Sequence, residues 1–191
     1  MAIRDVKYFF IALLVLTCSG CVGARGEAVL RDIEAGPGRG VFIKGVPRFK
    51  QERYRCGPAA LASVMNYYGK NINADDVAKK VFQERLKGSL AVDMLIYAKE
   101  AGFNARYYKS GIADLKENIT AERPLILFLN LGIRAFPRGH YIVAVGYDDN
   151  LGAVLAYTGS GRLDALKYKT LMRAWEKTGF SAMLITPKGR S

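Results

Sequence analysis

Residues Gln51–Gly69 read QERYRCGPAALASVMNYYG, and the character of the chain changes at Cys56. The residues before it are mostly polar or charged; those after it are glycine, proline and a run of small apolar side chains. Proline fits the first turn of a helix because the N–H it lacks would have had no intrahelical partner there, so Cys56 is predicted at a helix N-terminus. Leu61, Val64, Met65 and Tyr68 recur at helical spacing, while Ala59, Ala60, Ala62 and Ser63 leave room for another layer to approach. Gly69 is placed to end the helix. Free N–H groups and the positive end of the helix dipole favour the thiolate, the nucleophilic form of cysteine. The pattern therefore predicts a reactive thiol held rigidly at a helix start. The competing reading is an inert, buried cysteine.

Towards the N-terminus, residues 1–20 carry Arg4 and Lys7, an apolar run from Tyr8 to Leu16, and then Thr17, Cys18, Ser19 and Gly20. A charged start, about nine apolar residues and small residues at a cleavage point describe a secretory signal, too short to span a membrane. Ser19-Gly20-Cys21 resembles the bacterial lipoprotein signal, in which the cysteine receives lipid and becomes the first residue. Cys18 stands where that pattern usually has leucine, which leaves open cleavage without lipid or at Cys18. The resemblance implies a lipid on Cys21 and a place in the bacterial cell envelope; with no aspartate after Cys21, the usual sorting favours the periplasmic face of the outer membrane. Of three cysteines, Cys18 would then be removed and Cys21 acylated, so Cys56 would have no disulfide partner. An unpaired thiol in an oxidising compartment is a liability unless it is buried or used. Residues 21–45, glycine-rich around Pro37, read as a flexible tether, and residues 46–191 as one folded domain.

The chain has 191 residues, 50% apolar, with 29 Lys and Arg against 17 Asp and Glu, a formal charge of +12. An anionic membrane or another acidic partner suits that balance. Nucleic acid does not, because the basic residues are scattered and no finger or RNA-binding signature is present. One histidine and one unmodified cysteine cannot close a metal site, and Gly36–Gly40 lacks the strand-to-helix context of a phosphate loop. No cofactor is expected.

Towards the C-terminus, Asn73 can cap a helix over Ala74–Leu86, with Asp75 and Asp76 in its first turn, and Ser89 can cap another over Leu90–Ala101, ended by Gly102. Phe103–Tyr108 reads as a strand and Ile112–Thr120 as a short helix. The period then changes. Pro124–Leu129 is a continuous apolar run, and His140–Tyr147 and Gly152–Tyr157 are rich in strand formers about the turn Asp148–Leu151. A helix over Tyr168–Lys177 and a strand over Phe180–Thr186 complete the chain. Helices first and strands after predict an α+β fold, with the Cys56 helix packed on an antiparallel sheet.

His140 is the single histidine. A thiol nucleophile needs a group to take its proton and return it to the leaving group, and an imidazole titrates in the right range. His140 begins a strand, so it can reach the sheet edge where the Cys56 helix starts. Its bland alternative is a histidine satisfied locally in a loop.

Gln51, CGPAALASVMNYYG from Cys56, and GHYIVAVGYDD from Gly139 together resemble the papain-like peptidases that remove double-glycine leaders from bacteriocin precursors, in their stand-alone secreted branch. The resemblance covers roughly residues 46–187. It implies Cys56 as nucleophile, His140 as general base and acid, Gln51 as oxyanion donor beside the Cys56 N–H, and a peptide or protein substrate. One oxyanion donor is typically worth about 100- to 1000-fold in turnover. The third position departs from the family: where an aspartate usually ends the strand after the histidine strand, this chain has Ala156, Tyr157, Thr158, Gly159 and Ser160. Asp148 and Asp149 fall at the far end of the hairpin. Thr158, Ser160 or a backbone carbonyl could accept the Nδ1 proton of His140, and Asp164 is a further candidate if the loop over Gly159–Leu163 folds back. Two further readings stand beside a lipid-anchored peptidase: a weak or inactive relative that binds peptides or envelope components, and a cell-wall amidase, for which the usual second histidine is missing.

Overall fold

A computed structural model describes residues 25–49 and 54–189. The predicted signal segment, Cys21 and Gln51 lie outside the described residues. Helix α2 (Cys56–Tyr67) is the centre of the packing, with every residue from Gly57 to Met65 buried. It lies across strands β5 (Leu125–Asn130) and β6 (Gly139–Asp148) and is covered by α3 (Ala74–Val81) and α4 (Ala91–Glu100). Ala60, Ala62, Leu61 and Met65 are each at most 1% exposed, so the small residues serve close approach on one side while the large ones fill the core. Truncating a side chain such as Leu61 to alanine would cost about 2–5 kcal/mol. Gly57 is part of the same fit, because a Cβ there would meet the Ser89 Cβ at 3.0 Å and the Met94 Sδ at 3.1 Å.

The sheet is antiparallel and seven-stranded, in the order β4-β9-β5-β6-β7-β8, with β1 also on β6. Here β4 is Phe103–Lys109, β7 Ala153–Tyr157, β8 Asp164–Lys167 and β9 Ser181–Pro187. Strand β5 pairs with the first half of β6, up to Leu125 opposite Ala144. Strand β1 (Gly40–Phe42) pairs with the remainder, Phe42 opposite Gly146. Helices α5 (Ile112–Thr120) and α6 (Tyr168–Glu176) complete the layers. Trp175, 0% exposed, satisfies its indole N–H on the Ser181 carbonyl at 2.8 Å. The fold is therefore the α+β arrangement expected, with the Cys56 helix on an antiparallel sheet.

Four local expectations are corrected. Within the stretch read as a tether, Arg25–Glu34 forms helix α1 and Gly40–Phe42 a strand. Two of the glycines there serve close contact: a Cβ on Gly26 would fall on the Leu163 carbonyl oxygen and one on Gly40 on the Tyr147 carbonyl oxygen. Val29 and Ile43 bury themselves beside them. Second, α3 stops at Val81 and not Leu86, because Phe82 is extended and a small hairpin follows, β2 (Phe82–Gln83) with β3 (Gly88–Ser89). Third, Ser89 belongs to that hairpin and caps nothing; Leu90 is the N-cap of α4. Fourth, Asp164–Lys167, to which the sequence reading assigns no element, forms β8 and pairs with β7. Elsewhere the reading holds. Asn73 caps α3 by accepting from the Asp75 N–H at 3.0 Å, and Gly69 (φ +88°) and Gly102 (φ +93°) end their helices in the conformation glycine alone adopts freely.

Candidate active site

Cys56 is the first residue of α2, so its own N–H and that of Gly57 have no partner one turn earlier in the helix. Strand β6 passes in front of this helix end, and the backbone N–H of Tyr141 donates to the Cys56 Sγ at 3.5 Å. The next residue back along β6 is His140. The hairpin of β6 and β7 carries the chain to Thr158, whose backbone carbonyl accepts a hydrogen bond from His140 Nε2 at 2.8 Å. A carbonyl oxygen can only accept, so Nε2 carries the proton and Nδ1 is the basic nitrogen of the neutral ring. The ring is held by its Nε2, where the sequence reading had used Nδ1.

Thr158 is thus in contact with His140 through its carbonyl and not its hydroxyl. The Thr158 hydroxyl donates to Asp164 Oδ2 at 2.5 Å, and the Ser160 hydroxyl to the same oxygen at 2.7 Å. Ser160 has no hydrogen bond to His140; its Oγ also contacts the Arg162 backbone. The loop over Gly159–Leu163 does fold back, which brings Asp164 to the hydroxyls and not to the imidazole.

The electrostatics run against a preformed thiolate. Burial pushes the Cys56 thiol above its usual range, and hydrogen bonds from the N–H groups of Tyr141, Gly57 and Cys56 itself oppose that only in part. Burial likewise pulls His140 below its usual range; the Thr158 carbonyl works the other way, and the Arg138 charge adds to the lowering. At neutral pH the resting pair is thiol and imidazole, both uncharged. The helix start therefore falls short of the thiolate expected from it, because desolvation outweighs the hydrogen bonds from the N–H groups at the helix start and on β6.

Both groups open into a cleft of about 780 Å³. One wall is the β2–β3 turn with Leu86, Lys87, Ser89 and Leu90; the other is Phe128, Arg138 and Gly139, with Thr158 and Gly159 behind the histidine. Leu86 is 56% and Leu90 43% exposed, an apolar rim above the thiol. The hydroxyl of Tyr141 ties the walls together by donating to the Ser89 carbonyl at 3.4 Å. This first wall was missed in the sequence because Glu84–Leu86 continues the helical composition of α3; the Lys87-Gly88 pair, with Lys87 at φ +47°, was the turn signal that marked it. Among the described residues, no group of three His, Cys, Asp or Glu side chains is arranged to hold a metal, and no helix is long and apolar enough to cross a membrane.

Comparison with known proteins gives the family and agrees with the fold. An uncharacterized protein from Methanothermobacter marburgensis is 30% identical over 110 residues, 58% of this chain and 69% of its own length. The peptidase domain of ComA from Streptococcus, a bifunctional ABC transporter involved in a quorum-sensing pathway, is 25% identical with a TM-score of 0.60, over 75% of this chain and 97% of that domain. A double-glycine-motif protease of an AMS/PCAT transporter, crystallised with its leader peptide, shares the fold at 22% identity and a TM-score of 0.60, covering 78% of this chain and 99% of the other. So does a C39-like peptidase from Bacillus anthracis, at 15% identity and a TM-score of 0.62, over 79% and 99%. Residues 43–183, which include Cys56, His140 and Thr158, match the family model, and the chain belongs to the Peptidase_C39 like family.

Proposed function

We propose that the chain is a cysteine peptidase in which Cys56 attacks the carbonyl carbon of a peptide bond and His140 acts as general base and then general acid. The observation that carries this reading is the juxtaposition at the start of β6. The Tyr141 N–H engages the Cys56 Sγ while the neighbouring His140, its Nε2 proton held on the Thr158 carbonyl, keeps Nδ1 as its basic nitrogen. Because both groups rest uncharged, the proton moves from Sγ to Nδ1 as the new S–C bond forms. The carbonyl oxygen becomes an oxyanion, met by the Cys56 N–H and, as the family resemblance implies, by the side-chain amide of Gln51. The imidazolium returns the proton to the leaving amine as the C–N bond breaks, which leaves a thioester. Water, deprotonated by the same imidazole, then releases the acid and the thiol.

Support for a peptide substrate comes from the extended cleft with its apolar rim and from the leader peptide bound by the AMS/PCAT protease. The test is digestion of a mixed peptide pool followed by mass spectrometry. Cleavage by the wild type, abolished in Cys56→Ala and His140→Ala, is the expected result; cleavage that survives Cys56→Ala would overturn the assignment. The second reading, a peptide- or envelope-binding relative with little turnover, is favoured by one observation, that among the described residues no carboxylate hydrogen-bonds His140. It wins if the pool is bound but left uncut across the pH range.

We further propose lipidation at Cys21 and residence in the cell envelope, on the periplasmic face of the outer membrane. The motif Ser19-Gly20-Cys21 supports this, and Cys21→Ser should move the protein from the membrane to the soluble fraction.

A further inference from the structure

The carboxylate absent from the end of β7 has a counterpart on the next strand. Asp164, the first residue of β8, stands in register opposite Ala156 near the end of β7. Its Oδ2 collects the hydroxyl protons of Thr158 and Ser160, at 2.5 and 2.7 Å. Thr158 is the residue whose carbonyl fixes the His140 ring. On the other oxygen of this carboxylate, Arg162 Nε lies 4.0 Å from Oδ1. Around the imidazole itself stand the Thr158 carbonyl and the Arg138 charge, with the Cys56 thiol and the Tyr141 hydroxyl in the same cleft. Asp164 is held from behind as well. Helix α1, which begins before the segment that matches the family, sets Gly26 flush on the Leu163 carbonyl, with the Asp164 N 3.3 Å from where a Cβ would be. A side chain at residue 26 would press on the backbone that carries the carboxylate.

We propose that Asp164 is the positioning residue for His140, acting at one remove by clamping Thr158 so that its carbonyl holds the Nε2 proton. The assignment rests on the peptidase reading for its functional meaning, but its structural content stands alone. In this arrangement an acid sets the tautomer through a backbone carbonyl and does not touch the ring, so it orients the base without pairing with the imidazolium.

Because His140 is the single histidine, nitrogen NMR of the full chain labelled with 15N-histidine reports on this one ring. The wild type is expected to show the Nε2–H tautomer in excess. Asp164→Ala and Thr158→Val, which cut the same hydroxyl–carboxylate link from opposite ends, should each shift the tautomer ratio towards the free imidazole value by about fivefold, as for one ordinary hydrogen bond. Asp164→Asn, which keeps an acceptor oxygen, should retain most of the preference. Circular dichroism of each variant guards against simple unfolding. If Thr158→Val folds and keeps the wild-type ratio, or if the wild type has no Nε2–H preference, the proposal falls. A peptide pool left uncut by the wild type while the tautomer shift is seen would instead remove the peptidase reading and leave Asp164 as the residue that orients His140.

Discussion

The two ends of the β6–β7 hairpin are built on opposite electrostatic principles. At the turn, carboxylates gather and most of their oxygens are matched, although the Asp148 Oδ2 is buried without a hydrogen-bond partner among the described residues. Asp148, 0% exposed, accepts the Leu151 N–H at 2.8 Å. Asp149 takes the Lys116 ammonium and the Tyr168 hydroxyl, and Asp32 from α1 takes Asn150 and Arg39. At the open end, where Cys56 and His140 line one cleft, their hydrogen bonds are made with backbone N–H and carbonyl groups, and burial favours the neutral form of both side chains. Charge is used to lock the turn, whereas neutrality is kept where a proton has to move. Helix α1 contacts the turn through Asp32 on Asn150 and, at its other end, the backbone entering β8 through Gly26 on the Leu163 carbonyl, so a segment outside the family match packs beside the hairpin.

The largest break in this comparison should come from the open end. His140→Ala is expected to lower peptide turnover by about 100- to 10,000-fold, the usual worth of a positioned acid–base group, while leaving the melting temperature close to that of the wild type. Turnover measured on the same peptide pool checks it. A loss below tenfold would mean that the imidazole is not the proton carrier.

Much of that end was legible in the sequence because its determinants are local. Gly57 and Pro58 after Cys56, and a lone histidine opening an apolar strand, each follow from chemistry within a few residues. The charge state was not legible. It depends on how completely α2 is enclosed, and enclosure comes from α3, α4 and the sheet together. Asp164 was visible only conditionally, since its place opposite Ala156 depends on a pairing of β7 with β8 that a Gly- and Ser-containing loop conceals. Helix α1 was obscured by the glycines in and around it, which composition reads as flexibility, although Gly26 and Gly40 serve packing as contact surface.

The next effect in size belongs to the turn. Asp148→Ala removes a buried acceptor and leaves the Leu151 N–H without its partner, which should cost about 1–3 kcal/mol in urea unfolding. Turnover per folded molecule should not change. A drop in turnover at unchanged stability would show that the two ends are coupled, contrary to the division drawn above.

Smaller again is the pH response of stability carried by the open end. His140 titrates lower in the folded chain than the usual 6.5, so unfolding takes up a proton as pH falls through that value. The stability it contributes is present above the unfolded pKa and is lost on acidification through the folded one. Cys56 is raised above 9.0, so its contribution is present below that pH and declines as alkali ionises the unfolded thiol first. The unfolding free energy of the wild type, measured relative to His140→Ala, should therefore fall from pH 8 to pH 5. Iodoacetamide should report the same neutrality: the alkylation rate of Cys56 should climb through pH 9, and a plateau between pH 5 and 8 would reveal an ion pair instead.

The smallest effect tests whether the matched charges of the turn matter individually. Asp149 is 48% exposed and its partner Lys116 29%. Burial alone would raise the Asp149 carboxyl, but the hydrogen bonds from Lys116 and Tyr168 and the Lys116 charge hold it below its usual value. A carboxyl lowered in this way stabilises the fold above the unfolded pKa and ceases to do so as pH falls through the folded one. Lys116 also lies over the Tyr147 and Tyr168 rings, at 5.4 and 5.2 Å from their centres, so it keeps favourable surroundings when the carboxylate is neutralised. Asp149→Asn, which preserves shape and an acceptor, should then cost less than about 1 kcal/mol at pH 7 and low salt. The cost should fade in 1 M salt, where screening acts within about 3 Å, and vanish once acid protonates the folded carboxyl. A penalty that persists in high salt would assign the stabilisation to hydrogen-bond geometry at Tyr168 and not to charge. The turn would then be held by the same neutral contacts as the open end, and the contrast between the two would be one of burial alone.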